Sequence, residues 1–211
     1  MPVEYHEIGT PREGCLRTCA SRDGRLFTYD SVRNTSHWSG CLFQAILDKN
    51  LDLISSVRDN SIFEAARSPQ DGSSLLHYAV ASGSLDTVNL VLSKMQRPHD
   101  PDSASGIRPL ALACRYGYSE IVNRLVNAGA IVAAVDRRGN TCLHEAARFA
   151  QNTCLEVLLN TITADRYSPL LSHVLWMKNI EGHTCYDLAV QEGHSDTCEL
   201  VMSYMRRSLS V

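Results

Sequence analysis

Apolar residues recur along this chain at helical spacing, in short runs that are separated by turn residues. Within residues 136–159, two such runs consist of Leu143, Ala146 and Ala147, followed by Leu155, Leu158 and Leu159. Gly139 suits the turn before them, and the hydroxyl of Thr141 can accept a hydrogen bond from an orphan backbone N–H of the first helix. Two short helices cannot bury both apolar faces alone, so the pattern predicts that this unit packs against similar neighbours.

The same two-helix unit recurs along the chain. Counted from the position of the helix cap, the units start at Gly40, Ser74, Arg108, Thr141 and Thr184, at intervals of 34, 34, 33 and 43 residues. Five positions later every unit has an alanine, namely Ala45, Ala79, Ala113, Ala146 and Ala189. Two positions before the start, four units have a glycine, namely Gly72, Gly106, Gly139 and Gly182. Because alanines and glycines with different physical roles repeat together, the pattern indicates a repeated fold unit.

Segments such as SLLHYAVASG, RPLALACRYG and TCLHEAA resemble the ankyrin repeat. The resemblance covers about four fifths of the chain and implies an all-α solenoid of about five helix-turn-helix repeats with short hairpin fingers. We expect an irregular, partly disordered leader at residues 1–38, with one short strand at Arg25–Asp30. The ankyrin repeat domain is expected at 39–211, with repeats at about 40–71, 72–105, 106–138, 139–181 and 182–211. An insertion at 160–178 is predicted to form a short extra helix.

Composition and charge narrow the class of protein. The chain is 44% hydrophobic, which is enough for a core, and its net charge of −3 gives no attraction to nucleic acid or to an anionic membrane. The amino-terminal stretch lacks an apolar run, and no segment is apolar enough to span a membrane, so we expect a cytoplasmic or nuclear protein, monomeric on its own. Six of the eight cysteines replace small or apolar residues of the repeat, which favours reduced, structural thiols: Cys41, Cys114, Cys142, Cys154, Cys185 and Cys198.

Sequence signatures of catalysis are not found. A glycine-rich phosphate loop, a G-x-S-x-G elbow and an H-E-x-x-H helix are all missing from the sequence, so we expect neither an enzyme nor a cofactor or metal. His77 and His144 recur three positions after the repeat start, where the resemblance implies a structural histidine bonded to the cap hydroxyl and to neighbouring backbone. One alternative stays open: Cys15 and Cys19, with His6 and His37, could bind zinc in the leader, or the insertion could house chemistry.

The resemblance also implies where a partner binds, along the inner row of first helices and at the finger tips. Carried over by position, the predicted partner-binding residues are Tyr78, Ser82, Leu112, Arg115, Tyr116, Glu145, Arg148 and Phe149 on the helices, Arg137 and Arg138 on a finger, and Trp176 in the insertion. Aromatic residues and arginine often anchor interfaces, and the guanidinium fork suits carboxylates.

The expected function is a non-catalytic module that binds, masks or scaffolds another protein. The predicted ligand is an acidic segment with an apolar anchor, and neither nucleic acid nor a membrane is expected as a direct partner. A narrower alternative implied by the resemblance is a regulator of a transcription factor, similar to the NF-kappa-B inhibitors.

Overall fold

The structure is a computed structural model that describes residues 16–20, 26–30, 42–58, 60–68, 71–95, 105–164 and 173–209. The chain divides into two compact units, Met1–Gln96 and Arg97–Val211.

The first unit contains a β-hairpin ahead of its helices. Strand β1 (Leu16–Ala20) pairs with strand β2 (Leu26–Asp30) in antiparallel register, with Leu16 opposite Asp30. The short strand predicted at Arg25–Asp30 is therefore confirmed. Its partner β1 was not predicted, because the residues LRTCA lack the alternation of apolar and polar positions that identifies a strand.

Short helices follow the hairpin in the described part of the first unit. They are α1 (residues 42–47), α2 (Leu51–Ser56), α3 (Ser61–Ala65), α4 (Leu75–Ala81) and α5 (Leu85–Lys94). Helix α5 packs against both α2 and α4. The Nζ of Lys94, at the end of α5, donates hydrogen bonds to the carbonyl oxygens of Ser55 and Val57, at 3.3 and 3.0 Å, where they satisfy the end of α2.

The second unit continues the helical pattern. Its helices are α6 (Pro109–Tyr116), α7 (Ser119–Asn127), α8 (Cys142–Arg148), α9 (Asn152–Ala164), α10 (residues 173–176), α11 (Cys185–Gln191) and α12 (Ser195–Leu209). The inner helices α6, α8 and α11 pack in succession, and the outer helices α7, α9 and α12 form a parallel series behind them. This is the all-α ankyrin solenoid that the sequence predicts.

The predicted repeat starts are the observed helix caps. Ser74, Arg108, Thr141 and Thr184 each directly precede an inner helix in extended backbone conformation, and Pro109 fills the first helical position of α6. The predicted start at Gly40 lies outside the described residues. The repeat period therefore locates the inner helices α4, α6, α8 and α11 to the residue.

Each of the inner helices α4 and α8 has a buried histidine that completes its N-terminal cap. The Nδ1 of His144 lies 3.1 Å from the backbone nitrogen of Thr141, and this N–H can only donate, so Nδ1 must be the unprotonated nitrogen. The Nε2–H then donates to the carbonyl oxygen of His183 in the next repeat, at 3.1 Å. His77 bonds Ser74 in the same way. The structural role predicted for His77 and His144 is confirmed.

Small side chains separate the packed helices. The repeated alanines have no exposed surface, in the first unit at Ala45 and Ala79, and in the second unit at Ala113, Ala146 and Ala189.

Four of the predicted structural cysteines are buried free thiols, namely Cys114, Cys142, Cys154 and Cys185, and Cys198 is half-buried. Burial raises the pKa of Cys154 to about 11 and that of Cys185 to about 12, so both thiols stay protonated and unreactive at neutral pH. Cys41 lies outside the described residues.

The insertion and the leader are only partly described. Helix α9 extends into the insertion as far as Ala164, and residues 173–176 form the short helix that was predicted there. In the leader, Cys19 lies in β1, whereas Cys15, His6 and His37 lie outside the described residues. No three potential metal ligands cluster within the part of the chain that the structure describes.

Successive fingers in the second unit stack through a glycine. A Cβ added to Gly139, which has φ of +74°, would lie 3.1 Å from the backbone nitrogen of Ile180 and 3.2 Å from the Cα of Asn179. Gly182 is the equivalent residue of the last repeat and has φ of +83°, but an added Cβ would meet nothing within 4 Å. The two glycines share a left-handed backbone, and only Gly139 is also covered by another finger.

We therefore expect Gly139→Ala to destabilise the chain more than Gly182→Ala. The left-handed backbone alone costs alanine about 1 kcal/mol, which is the whole effect at Gly182. At Gly139 the clash with rigid backbone adds roughly a further 1 kcal/mol. Chemical denaturation of both variants measures the difference, and equal losses of stability would show that the fingers do not stack as described.

The cap histidine makes stability depend on pH. Burial lowers the pKa of His144 from its usual value near 6.5. As pH falls, the unfolded chain takes up a proton on this histidine before the folded chain does. The contribution of neutral His144 to the free energy of unfolding is therefore complete above about pH 6.5 and is lost as pH falls toward the folded-state pKa. We expect His144→Gln, which retains a capping side chain but cannot titrate, to lose less stability than the wild type between pH 7 and pH 5. Denaturant midpoints at each pH test this, and parallel profiles would contradict it.

Candidate protein-binding surface

Two consecutive inner helices expose an aromatic ring at the same repeat position. Tyr116 is the last residue of α6 and Phe149 directly follows α8, and both lie eight residues after their repeat start. Tyr116 is 49% exposed and Phe149 is 44% exposed. The equivalent position of three other repeats holds a polar residue, namely Asp48, Ser82 or Glu192, so exposed rings at this position distinguish these two repeats and mark a surface that is available for contact. We call Arg115, Tyr116, Glu145, Arg148 and Phe149 the platform.

Arg115 links the two helices of the platform. Its Nε donates to the Oε2 of Glu145 at 2.8 Å, and its guanidinium carbon lies 5.6 Å from the centre of the Phe149 ring. The Glu145 side chain is only 3% exposed, whereas the Arg115 side chain is 33% exposed. Glu145 was predicted as an outward-facing residue, but the structure buries it beneath the arginine. The charge of Glu145 is compensated by Arg115, and the ion pair holds the guanidinium against the Phe149 ring.

Arg148 forms a second and more exposed ion pair. Its Nε lies 3.3 Å from the Oε1 of Glu192 in the last repeat, with both side chains more than 40% exposed. The Nε2 of His194 lies 3.0 Å from the carbonyl oxygen of Arg148, which connects the end of α8 to the last repeat. The backbone of Arg148 is therefore fixed, and its side chain is held only loosely.

Backbone hydrogen bonds join the fingers of the second unit. The N–H of Arg137 donates to the carbonyl oxygen of Ser105 at 3.3 Å, and the N–H of Ile180 donates to the carbonyl oxygen of Arg138 at 2.9 Å. The Oδ1 of Asp136 accepts the N–H of Arg138 at 2.8 Å, which closes the turn. Arg137 and Arg138 are exposed, and Ile180 is 73% exposed. We call Arg137, Arg138 and Ile180 the finger tips.

The remaining predicted residues are not among those that define these two surfaces. Tyr78 and Ser82 belong to the first unit: the Tyr78 hydroxyl is 3.1 Å from the Ser68 hydroxyl, its ring packs against Phe43, and Ser82 bonds its own helix. In the second unit Leu112 is half-buried, and Trp176, at the end of α10, is 47% exposed. None of these contacts tests partner binding, which remains a prediction for every residue named.

Sequence reasoning missed Ile180. It occupies the same repeat position as Arg137, four residues before the repeat start, so the alignment of fingers could have found it. It was overlooked because an isoleucine in a turn gives no chemical signal by itself. Ile180 is exposed as Arg137 is at the same position of the preceding finger.

The platform lies at the ends of two inner helices and the finger tips lie on two adjacent fingers of the second unit. Among the described residues, no helix is long and apolar enough to cross a lipid bilayer.

Comparison with known proteins identifies the repeat. The pattern that defines ankyrin repeats, in three copies, matches residues 76–169. Human B-cell lymphoma 3 protein is 31% identical over 141 residues, which are 65% of this chain and 30% of that protein. A putative E3 ubiquitin-protein ligase of Arabidopsis thaliana is 34% identical over 108 residues, covering 50% of this chain and 22% of the ligase. The poly(ADP-ribose) polymerase tankyrase of Caenorhabditis elegans is 36% identical over 99 residues, covering 45% of this chain and 4% of the polymerase.

These matches and the repeat geometry show that the chain is an ankyrin repeat protein. Ankyrin repeats bind other proteins, so the repeat region is a protein–protein interaction module and not a catalytic domain. The matched region is less than a third of the length of each of these relatives, and the activities in their names are theirs.

The two ion pairs of the platform should contribute very differently to stability. Arg115→Ala leaves the buried carboxylate of Glu145 without a partner, and we expect a loss of about 2 kcal/mol, below the usual cost for a wholly buried pair because Arg115 is partly exposed. Arg148→Ala breaks an exposed pair and should cost less than about 0.5 kcal/mol. Urea denaturation of the two variants makes the comparison.

A third variant checks the cause of the loss. Adding Glu145→Gln to Arg115→Ala removes the unpaired charge, so the double variant should regain part of the stability that the single variant loses. If the two single arginine variants are equally stable, or if Glu145→Gln gives no recovery, Glu145 is not buried under Arg115 as described.

Proposed function

We propose that this chain binds a segment of another protein on the platform of its second unit, and thereby masks or scaffolds that protein. The observation that supports the proposal most directly is the pair of exposed rings, Tyr116 and Phe149, at equivalent positions of adjacent repeats. Aromatic side chains at such positions supply a large contact area and lose little conformational entropy when they are covered.

Preorganisation of the platform favours tight binding. Arg115 is held by Glu145 on one side and lies over the Phe149 ring on the other. Since these side chains already occupy one arrangement, a partner does not have to order them when it binds. The helices below them are fixed by the neighbouring repeats, so the platform acts as a rigid surface.

The proposed ligand is an acidic segment with an apolar anchor. An aliphatic or aromatic side chain of the partner would cover the exposed rings, and its carboxylates would pair with nearby arginines. The proposed locations are the cytoplasm and the nucleus. A regulator similar to the NF-kappa-B inhibitors is a special case of this proposal, in which the masked partner is a transcription factor.

Removal of the two rings tests the proposal. We expect Tyr116→Ala with Phe149→Ala to weaken binding of the principal partner by roughly 30-fold or more, because each ring is a candidate hot spot. Proteins captured from cells by the tagged full chain are identified by quantitative mass spectrometry, and the affinity of the recovered partner is then measured with the purified wild type and the double variant.

The control for this experiment is Ile131→Ala, which removes an apolar side chain that is 55% exposed on the loop after the outer helix α7. It should leave partner affinity unchanged. Circular dichroism establishes that all variants are folded. A folded double variant that binds as tightly as the wild type would refute the platform as the binding surface.

A further inference from the structure

Two arginines of the second unit are already paired with carboxylates of the protein. Arg115 is paired with a buried carboxylate at 2.8 Å, and Arg148 lies 3.3 Å from Glu192. A partner carboxylate that approached either arginine would have to compete with a carboxylate already in place. The platform therefore offers rings and compensated charges, and it is poorly suited to be the main binding site for acidic residues.

The side chains of Arg137 and Arg138 are exposed on their finger. Among the residues that the structure describes, neither guanidinium has a hydrogen-bond or ion-pair partner. Their recorded hydrogen bonds use only the backbone: the N–H of Arg137 and the N–H and carbonyl oxygen of Arg138. The finger is thus held by these backbone groups and by the Asp136 carboxylate, and neither guanidinium takes part in it. Within the described residues both guanidinium groups can therefore pair with an external anion.

The position of the Arg137 side chain is also restricted. A Cβ added to Gly106 would lie 3.1 Å from the Cγ of Arg137, so the aliphatic stem of this arginine crosses the preceding finger where glycine leaves room. On the next finger, the N–H of Ile180 donates to the carbonyl oxygen of Arg138. An exposed apolar side chain beside uncompensated cations suits a ligand that combines carboxylates with apolar groups.

We propose that the finger tips bind the acidic residues of the partner segment, while the platform binds its apolar anchor. This inference rests on the proposed function and assigns its two chemical requirements to different residues. The ligand is a protein segment in which aspartate or glutamate residues contact Arg137 and Arg138, and a separate aliphatic or aromatic residue covers Tyr116 and Phe149.

The division has a consequence that the platform alone does not have. Contacts between exposed charges weaken as salt is added, whereas burial of aromatic surface does not. Removing the finger arginines should therefore reduce both affinity and its dependence on salt, because uncompensated charges at the edge of an interface steer association. Removing the platform rings should reduce affinity and leave the salt dependence as it was.

The experiment uses a phage-displayed library of random peptides as the probe and the full-length chain as the target. Selected peptides should be enriched in aspartate and glutamate together with an aliphatic or aromatic residue. At physiological salt, Arg137→Ala with Arg138→Ala should weaken their binding by about tenfold and flatten its dependence on sodium chloride. Tyr116→Ala with Phe149→Ala should weaken binding without flattening it.

The matched control is Arg206→Ala with Arg207→Ala, which removes two positive charges from the exposed end of α12. This control should bind the peptides as the wild type does, and an equal loss would mean that only net charge matters. Peptides without acidic enrichment, or a finger variant with unchanged affinity and salt dependence, would overturn the inference. If the ring variant still loses binding in that case, the proposed function stands and only the role of the finger tips is rejected. If no peptide binds, both proposals fail for linear segments.

Discussion

The close approach of successive inner helices is the constraint on which the second unit depends. Ala113, Ala146 and Ala189 are fully buried at the same repeat position, and a larger side chain at any of them would force adjacent helices apart. Neither helix of a repeat is long enough to be stable alone, so each repeat derives its stability from the next. A substitution that disturbs one contact between two repeats therefore also shifts the other side chains packed between them.

This constraint also builds the platform. Packing of α6 against α8 brings Arg115 within reach of Glu145 and Phe149, three residues that come from two separate repeats. No single repeat contains the site, because the pairing exists only when both helices are stacked. Binding and folding are for this reason linked: a ligand that contacts both helices stabilises their stacking, and loosened stacking removes the site.

Local rules in the sequence predicted the elements well and the contacts between them poorly. Thr141 and Thr184 cap helices where expected, since capping depends on a few adjacent residues. Even Lys49 and Ala150, which stand in place of glycine after an inner helix, adopt the left-handed backbone of the glycines they replace, with φ of 57° and 54°. The burial of Glu145 was not predictable, because a carboxylate on an inner helix looks solvent-exposed until the arginine of the preceding repeat is seen to cover it. No alternation in sequence marked β1, whose pairing is a contact between separate segments.

The fingers are held by main-chain hydrogen bonds and by the side chains of Asp136 and Asn179, and the described bonds of the finger tips Arg137, Arg138 and Ile180 involve only their backbone. Substitutions at the finger tips should consequently change the free energy of unfolding little, whereas substitutions on the inner helices disturb the packing between adjacent repeats. A lineage descended from this chain could acquire new partners by exchanging a few tip residues, with the architecture beneath left intact. The same separation makes the tips a natural place to redirect the protein by design.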